Sequence, residues 1–157
     1  MDLEYSENRT AQTLVLSSGV IEHIASHRQL RSNQKEAGGQ LFATFEHDIV
    51  CIQLATGPRR ADKRSRFRFI PHRVSERREI KRLFKTGLHY VGDWHTHPEV
   101  VPRPSTIDLN NMADMFSKSH HNLAGFVMII AGTSPPPEGL FVGICDDKQC
   151  TELSVIA

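Results

Sequence analysis

The sequence predicts a single α/β (α+β) domain, 1–157, in which helices flank a mixed central β-sheet. Short apolar runs typical of strands alternate with segments whose apolar residues recur at helical spacing. Pairs of such runs, separated by turn residues, predict hairpins in both halves of the chain. No internal repeat and no linker divides the 157 residues, a length typical of one domain.

The first half of the chain predicts a strand, a helix and a hairpin. The segment TLVLS, 13–17, is typical of a strand, and SSGVIEHIASHRQ, 17–29, of a helix with Val20 and Ile24 on its apolar face. Two apolar runs around the turn EHD, within 35–58, predict a hairpin.

The basic middle of the chain predicts a loop, a strand and a second helix. The charged loop RRADKRSRFRF, 59–69, ends in the alternating Phe67 and Phe69, a pattern typical of a half-buried strand. The segment SERREIKRLFKTG, 75–87, predicts a helix that begins at the cap residue Ser75 and ends at its glycine.

The last part of the chain predicts three more elements and a closing hairpin. LHYVGDWHTH, 88–97, is expected to be a strand that Pro98 ends, because proline cannot donate to a strand ladder. A helix is expected from Ser105 to about Lys118, and LAGFVMIIAG, 123–132, is typical of a core strand. LFVGICD and CTELSVIA predict the final hairpin.

The charges are unevenly distributed along the chain. The formal net charge is +1, which indicates neither a nucleic-acid-wrapping protein nor an acidic tail. Between Arg59 and Lys85, however, 12 Lys and Arg accompany three acids, a balance of +9 (12 − 3), so the remainder carries −8 (7 − 15). Five arginines here are candidates for docking an acidic protein partner: Arg59, Arg60, Arg64, Arg66 and Arg68. A solvated loop and helix face is the open alternative, and nucleic acid is less favoured because aromatic residues are few.

The start of the chain and its cysteines predict a soluble cytoplasmic protein without a membrane segment. The acidic start MDLEYSENRT lacks the apolar core of a signal peptide, and the longest apolar stretch, AGFVMIIAG, is far shorter than the about 20 residues that span a bilayer. An odd number of cysteines, Cys51, Cys145 and Cys150, favours a reducing compartment. Although Cys145 and Cys150 flank the turn DDKQ, we expect reduced thiols there rather than a disulfide or a second metal site, because further ligands at suitable spacing are missing.

The stretch GDWHTHPEVVPRPSTID, 92–108, predicts a metal site. Successive strand side chains alternate between faces, so His95 and His97 point the same way, and Asp108 adds a carboxylate from the first turn of the next helix. Three such ligands leave zinc a fourth position for water, whose pKa the metal lowers from about 15.7 to about 7. Ser105-x-x-Asp108 is also a helix-capping pattern, and the two interpretations are compatible.

The string His95-x-His97, seven residues, Ser105-x-x-Asp108 resembles the signature of the JAMM (MPN+) zinc metalloproteases. Glu36, in EAGGQLF, stands where that family has its catalytic glutamate, and the order of elements is similar over nearly the whole chain. The resemblance implies one Zn²⁺ per chain with His95, His97 and Asp108 as ligands. It also implies a proton-transfer role for Glu36 and stabilisation of the oxyanion by Ser105.

The chain departs from many eukaryotic members of that family beside the ligands. Those members have Trp at the position of Asp93, which here precedes Trp94. Because Asp93 shares a strand face with His95 and His97, it is a candidate for orienting a ligand imidazole. An exposed acid at the end of the strand is the alternative.

The resemblance also implies a substrate class. JAMM proteases cut peptide or isopeptide bonds after the C-terminal residue of ubiquitin or ubiquitin-like proteins and hold the extended tail partly as an added strand. The strings EAGGQLF and GDWHTHP are similar to those of bacterial deconjugating proteases from CBASS antiphage operons. The implied substrate is a ubiquitin-like modifier, or a CD-NTase-type nucleotidyltransferase, joined to a target lysine, and an E1/E2-like conjugation enzyme is the implied functional partner.

Two other functions stay open at this point: a non-catalytic MPN scaffold and a DNA-associated JAMM-fold protein. The basic loop bears on the choice, because it falls where JAMM proteases carry an insertion that contacts the modifier.

Overall fold

The computed structural model describes residues 1–7, 12–121 and 123–156 and confirms a mixed α+β fold with helices against a large sheet. The described elements are β1 (Leu3–Ser6), β2 (Thr13–Leu16), α1 (Ser18–Ala25), β3 (Gly38–Glu46), β4 (Ile49–Ala55), β5 (Lys63–Ser65), β6 (Arg68–Ile70), α2 (Arg73–Phe84), β7 (His89–Thr96), α3 (Thr106–Lys118), β8 (Phe126–Ala131), β9 (Leu140–Cys145), β10 (Cys150–Glu152) and β11 (Ser154–Val155). Within these described ranges, no helix has the length and apolarity needed to cross a bilayer.

Nine of the described strands form one sheet in the order β10-β9-β8-β7-β3-β4-β2-β1-β11. The pairs β2–β4 and β7–β8 are parallel, and the other neighbours are antiparallel. β10 and β11 stand at opposite ends of this order although only Leu153 separates them in the chain. The C-terminal segment therefore closes the sheet, because one part of it pairs with β9 and the next part with β1.

The sheet buries apolar side chains on both faces. Val20 of α1 belongs to a cluster that contains Trp94, and Met112 of α3 belongs to a second cluster that contains Phe126. Alternate residues of β8 divide between the two clusters, which places α1 and α3 on opposite faces. This two-sided burial explains why the sequence of β8 is apolar throughout.

The basic loop folds into a two-stranded hairpin of β5 and β6 rather than ending in a single strand. Phe67 lies at the turn of this hairpin and is 74% exposed. Phe69 is half-buried, and its ring lies 2.7 Å from the position that a Cβ on Gly38 would take. The prediction of a half-buried strand is therefore wrong for Phe67, because the turn directs its ring away from the core.

Two helix boundaries differ from the prediction. α2 begins at Arg73 with His72 as its N-cap, because the His72 imidazole accepts a hydrogen bond from the Ser75 N–H at 3.4 Å. The predicted cap, Ser75, is therefore inside the helix. α1 ends at Ala25 rather than at residue 29. Directly after Ala25, the Ser26 hydroxyl donates to the His23 carbonyl at 2.7 Å.

Cys145 and Cys150 form a disulfide. They are directly opposed in the register of β9 and β10, on either side of the turn 146–149. The expectation of two reduced thiols is therefore wrong, because the tight turn alone brings the side chains together. Cys51 is a free cysteine.

Candidate metal centre

Two histidines at the end of a strand and an aspartate at the start of a helix meet at one edge of the sheet. His95 lies in β7, and the His97 N–H extends the ladder by donating to the Ala131 carbonyl of β8 at 3.0 Å. Asp108 lies in the first turn of α3. His95 Nε2 and His97 Nε2 are 3.1 Å apart, and Asp108 Oδ2 lies 3.2 Å from each of them.

These three atoms form a triangle of the size that a tetrahedral zinc site requires. Bonds of about 2.0–2.1 Å to zinc separate neighbouring ligand atoms by about 3.3 Å, close to the 3.1 and 3.2 Å found here. Two imidazole lone pairs and a carboxylate repel one another at such distances unless a cation or a proton lies between them. The donor set therefore fits a metal ion, and two His with one Asp is a set that zinc accepts.

Ser105 and Asp108 form a complete capping box on α3. The Ser105 hydroxyl oxygen accepts from the Asp108 N–H at 3.0 Å, and Asp108 Oδ2 accepts from the Ser105 N–H at 2.9 Å. The capping interpretation is confirmed, and the same carboxylate faces both imidazoles. Burial raises the pKa of Asp108, but the adjacent imidazoles of His95 and His97 outweigh burial and hold this pKa well below its usual range.

Glu36 is 6% exposed and precedes β3 beside the three ligand side chains. Its backbone is held by the β5 strand, since the Glu36 N–H donates to the Ser65 carbonyl at 2.8 Å and Arg64 Nε donates to the Glu36 carbonyl at 2.6 Å. Burial raises the pKa of Glu36 to about 7, although the charge of His97 opposes the rise. A carboxyl group with this pKa can exchange protons near neutral pH.

A cavity of about 810 Å³ contains Glu36, Ser105 and the three ligand side chains. One wall is the β6 strand, and another is α3, which contributes Met112. The volume lies in the range of substrate clefts, and mixed apolar and polar walls are typical of such sites. The arrangement can therefore bind a substrate next to a metal, a buried carboxyl group and a hydroxyl group.

Residues 17–142 match the family described as prokaryotic homologs of the JAB domain. The chain belongs to this family. A protein of Enterobacter hormaechei subsp. hoffmannii (strain UCI 50), named CD-NTase/cGAS isopeptidase, is 32% identical to this JAB-domain chain over 144 residues, which cover 85% of this chain and 75% of the relative. A protein of the same name from Pseudomonas aeruginosa (strain BWHPSA011 / Pa011) is 30% identical over 129 residues, 79% of each chain.

Solved structures share the fold of this JAB domain. The solution structure of protein DSY2949 from Desulfitobacterium hafniense superposes with a TM-score of 0.63 at 20% identity, over 87% of both chains. The solution structure of a protein from Salinibacter ruber (strain DSM 13855) gives a TM-score of 0.52 at 18% identity, over 90% of this chain and 88% of the other. At these identities the similarity concerns the fold alone.

Asp93 is half-buried in the JAB-domain cavity and is not an exposed acid at the end of a strand. Its Oδ1 accepts a hydrogen bond from the Tyr90 hydroxyl at 3.0 Å. Burial, and then the charge of Glu76, raise the pKa of Asp93 to about 7. A role of Asp93 in orienting a ligand imidazole stays a prediction.

Glu99 contacts the imidazole of His97, one of the three side chains that could hold a metal, and the sequence did not lead us to expect this contact. His97 Nδ1 lies 3.0 Å from Glu99 Oε1, on the opposite side of the ring from the metal-facing Nε2. Burial lowers the pKa of His97, but the adjacent Asp108 carboxylate outweighs burial and raises this pKa. In the sequence Glu99 is only an acid two residues after His97, and this spacing alone predicts no contact.

The five arginines predicted to dock a partner have different environments. Arg59 is 84% buried, with 16% of its side chain exposed, and pairs with Glu79 of α2. Arg64 supports the Glu36 backbone. These two side chains therefore stabilise the fold around the site. Docking stays a prediction for all five arginines, of which Arg60 and Arg68 are exposed.

Proposed function

We propose that this JAB-domain protein is a zinc-dependent isopeptidase that releases a protein joined through its C-terminal tail to a target lysine. The observation that carries the proposal is the triangle of His95, His97 and Asp108 in one cavity with Glu36 and Ser105. Relatives named CD-NTase/cGAS isopeptidase support a CD-NTase-type nucleotidyltransferase as the released protein. A ubiquitin-like modifier is the second candidate.

The proposed setting is the cytoplasm, within antiphage (CBASS) defence. An E1/E2-like conjugation enzyme would make the bond that this protein breaks. The conjugation enzyme, which makes the bond, and the isopeptidase, which breaks it, would together set the amount of conjugate.

His95, His97 and Asp108 would hold the metal, since His95 Nε2, His97 Nε2 and Asp108 Oδ2 face one another. Bound Zn²⁺ supplies Lewis-acid polarisation of the scissile carbonyl group and lowers the pKa of a water molecule at the site. The capping box fixes Asp108, and the strand ladder fixes the two histidines, so the ligand set is organised before the metal binds.

Glu36 transfers the proton. Its carboxylate takes a proton from the attacking water, and the resulting carboxyl group delivers it to the leaving lysine amine nitrogen. In the metal-free site burial raises the pKa of Glu36, which favours a carboxyl group that can hold the proton between the two halves of the transfer.

Ser105 stabilises the charge that develops on the carbonyl oxygen. The Ser105 oxygen already accepts a hydrogen bond from the Asp108 N–H at 3.0 Å, so the hydroxyl proton of Ser105 is free to donate. One such donor contributes roughly 2.7–4 kcal/mol to the stability of the transition state.

The free edge of β6 binds the tail of the substrate. In the described small sheet, β6 pairs with β5 on one side, and residues 67–71 line the metal cavity. An extended tail can add to such an edge as a further strand, which leads its last residue toward the metal. The half-buried ring of Phe69 offers an apolar contact along the way.

A CD-NTase-type nucleotidyltransferase, joined through its C-terminal carboxyl group to a lysine side chain of a labelled peptide, tests the proposal. Wild-type protein is expected to bind one zinc per chain and to release the peptide. Glu36→Gln keeps the shape of the side chain, so we expect it to retain zinc and to lose cleavage by about 10²- to 10⁴-fold. His97→Ala is expected to lose both zinc and cleavage.

Two outcomes would contradict this scheme. If zinc-loaded wild-type protein leaves both this conjugate and a ubiquitin-like conjugate intact, the isopeptidase proposal is wrong and a scaffold is favoured. If Glu36→Gln cleaves at the wild-type rate, the proton-transfer role is wrong.

A further inference from the structure

A carboxylate outside the ligand set contacts the far side of one ligand ring. Glu99 Oε1 lies 3.0 Å from His97 Nδ1, while His97 Nε2 faces His95 and Asp108. We propose that Glu99 is a positioning residue, which fixes the tautomer and the ring orientation of His97 for metal binding. The inference rests on the metal site of the proposed function and adds a residue that neither the ligand spacing nor the capping box identifies.

The hydrogen bond to Glu99 decides which nitrogen of His97 carries the proton. An ionised carboxylate only accepts hydrogen bonds, so Nδ1 must be the donor. In the neutral ring Nε2 then keeps its lone pair, which is the form that binds a metal. Without this acceptor, the ring can also hold its proton on Nε2, and that proton must leave before the metal binds. Glu99 thereby favours the metal-binding tautomer in the absence of the ion.

The backbone of Glu99 is anchored by the loop between β8 and β9. The Thr133 N–H donates to the Glu99 carbonyl at 2.7 Å, and the Thr133 carbonyl accepts from Arg28 Nη1 at 2.9 Å. Gly132 permits this approach, because a Cβ there would lie 2.3 Å from the Glu99 oxygen. Although 53% of the Glu99 side chain is exposed, its fixed backbone limits the conformational entropy lost on reaching the ring.

Asp93, which the sequence made a candidate for this task, has a different hydrogen-bond partner. Asp93 Oδ1 accepts a hydrogen bond from the Tyr90 hydroxyl. Its pKa is also raised by burial and by Glu76, whereas Glu99 is half exposed and stands apart from that buried group of acids. Of the two acids, Glu99 is therefore the one whose recorded hydrogen bond reaches a ligand imidazole.

Zinc affinity, measured by competition with a chromophoric chelator, tests the role without relying on activity. We expect Glu99→Ala to bind Zn²⁺ about 10- to 100-fold more weakly than wild-type protein. Glu99→Gln keeps an oxygen that accepts from Nδ1, so we expect it to bind within about threefold of wild type. Glu46→Ala is the matched control. It removes one exposed acid at the opposite end of β3, about 26 Å along the strand from Gly38, and should bind zinc as wild type does.

Nitrogen NMR of the metal-free protein provides a second readout. At a pH where the His97 ring is neutral, its signals are expected to show Nδ1 protonated in wild-type protein and in Glu99→Gln. In Glu99→Ala they are expected to shift toward the Nε2-protonated tautomer, because Asp108 Oδ2 still lies 3.2 Å from Nε2. A purely structural loss of stability would not change the tautomer in this selective way.

The failures of this inference and of the proposed function can be told apart. Wild-type protein that binds no zinc contradicts the proposed function. Wild-type protein that binds zinc, with Glu99→Ala equal to Glu46→Ala in affinity, contradicts the role of Glu99 alone. Glu99→Gln binding as weakly as Glu99→Ala contradicts it as well, since the acceptor oxygen is retained.

Discussion

Ser105 has two roles that kinetics and stability can separate. Its oxygen caps α3 by accepting the Asp108 N–H, and its free proton is proposed to donate to the developing oxyanion. We expect Ser105→Ala to lower kcat about 100- to 1,000-fold. The lost cap should also lower the free energy of unfolding by about 1 kcal/mol. Steady-state kinetics on the conjugate and denaturant unfolding measure the two effects.

Ser17→Ala is the matched control for Ser105→Ala. Ser17 caps α1 by accepting the Val20 N–H at 3.4 Å, and it does not line the metal cavity. It is expected to lose a similar amount of stability and to keep the wild-type kcat. Equal losses of kcat in the two variants would show that helix stability, not oxyanion binding, explains Ser105.

Individual residues differ in how far the sequence determines their contacts. His95 and His97 could be placed on one face because strand alternation is a local rule, and Asp108 because a cap fixes the first turn of a helix. The contact of Glu99 with His97 depends on a loop whose path is set by Thr133, which is distant in sequence. Such a contact follows no spacing rule, so the sequence could not predict it.

Among the elements, β3 packs so closely against its neighbours beside the site that Gly39 has no room for a side chain. A Cβ on Gly39 would lie 1.6 Å from the Thr56 carbonyl oxygen and 2.9 Å from Trp94 Nε1, which donates to that same oxygen at 2.8 Å. We expect Gly39→Ala to lower the free energy of unfolding by about 3 kcal/mol, because backbone rather than a flexible side chain must move. Denaturant unfolding of the metal-free protein measures this loss.

Gly19→Ala provides the comparison. Gly19 lies in α1 with no heavy atom within 4 Å of a Cβ placed there, so alanine should raise stability by about 0.5–1 kcal/mol. A Gly39→Ala protein as stable as wild type would mean that the close approach of Thr56 and Trp94 is not required.

Elements with a local signal could be predicted, and those that depend on distant partners could not. α3 begins at the cap Ser105 and ends at Lys118, because the cap and the apolar spacing agree. The prediction did not include β1, and it assigned CTELSVIA as a whole to the final hairpin, whereas β11 within this segment pairs with β1 across nearly the whole length of the chain. The predicted start of α2 was wrong, because a histidine, His72, serves as the cap of this helix.

At the scale of the whole molecule, the fold turns the acids of the basic segment inward. Glu76 is 3% exposed and pairs with Arg73 at 2.8 Å, and Glu79 pairs with Arg59. The exposed charged residues on the outer side of α2 and at its C-cap are therefore cations: Arg77, Arg78, Lys81, Arg82 and Lys85. Like charges four residues apart destabilise a helix, and an acidic partner surface would relieve that repulsion. The face lies next to the metal cavity, to which Arg73 contributes.

If this face docks the folded part of the substrate, Arg78→Gln combined with Lys81→Gln should raise KM for a folded nucleotidyltransferase conjugate about three- to tenfold at low salt. We expect kcat, and KM for a conjugate of the isolated tail peptide, to stay unchanged, because neither residue lines the metal cavity.

Arg31→Gln with Lys148→Gln removes the same charge elsewhere on the surface and should change neither KM. Raising salt to about 0.5 M should raise the wild-type KM for the folded conjugate to that of the Arg78→Gln, Lys81→Gln variant, since screening shortens the reach of exposed charges. Equal KM values for the two double variants at low salt would instead show that the basic face of α2 is only solvated.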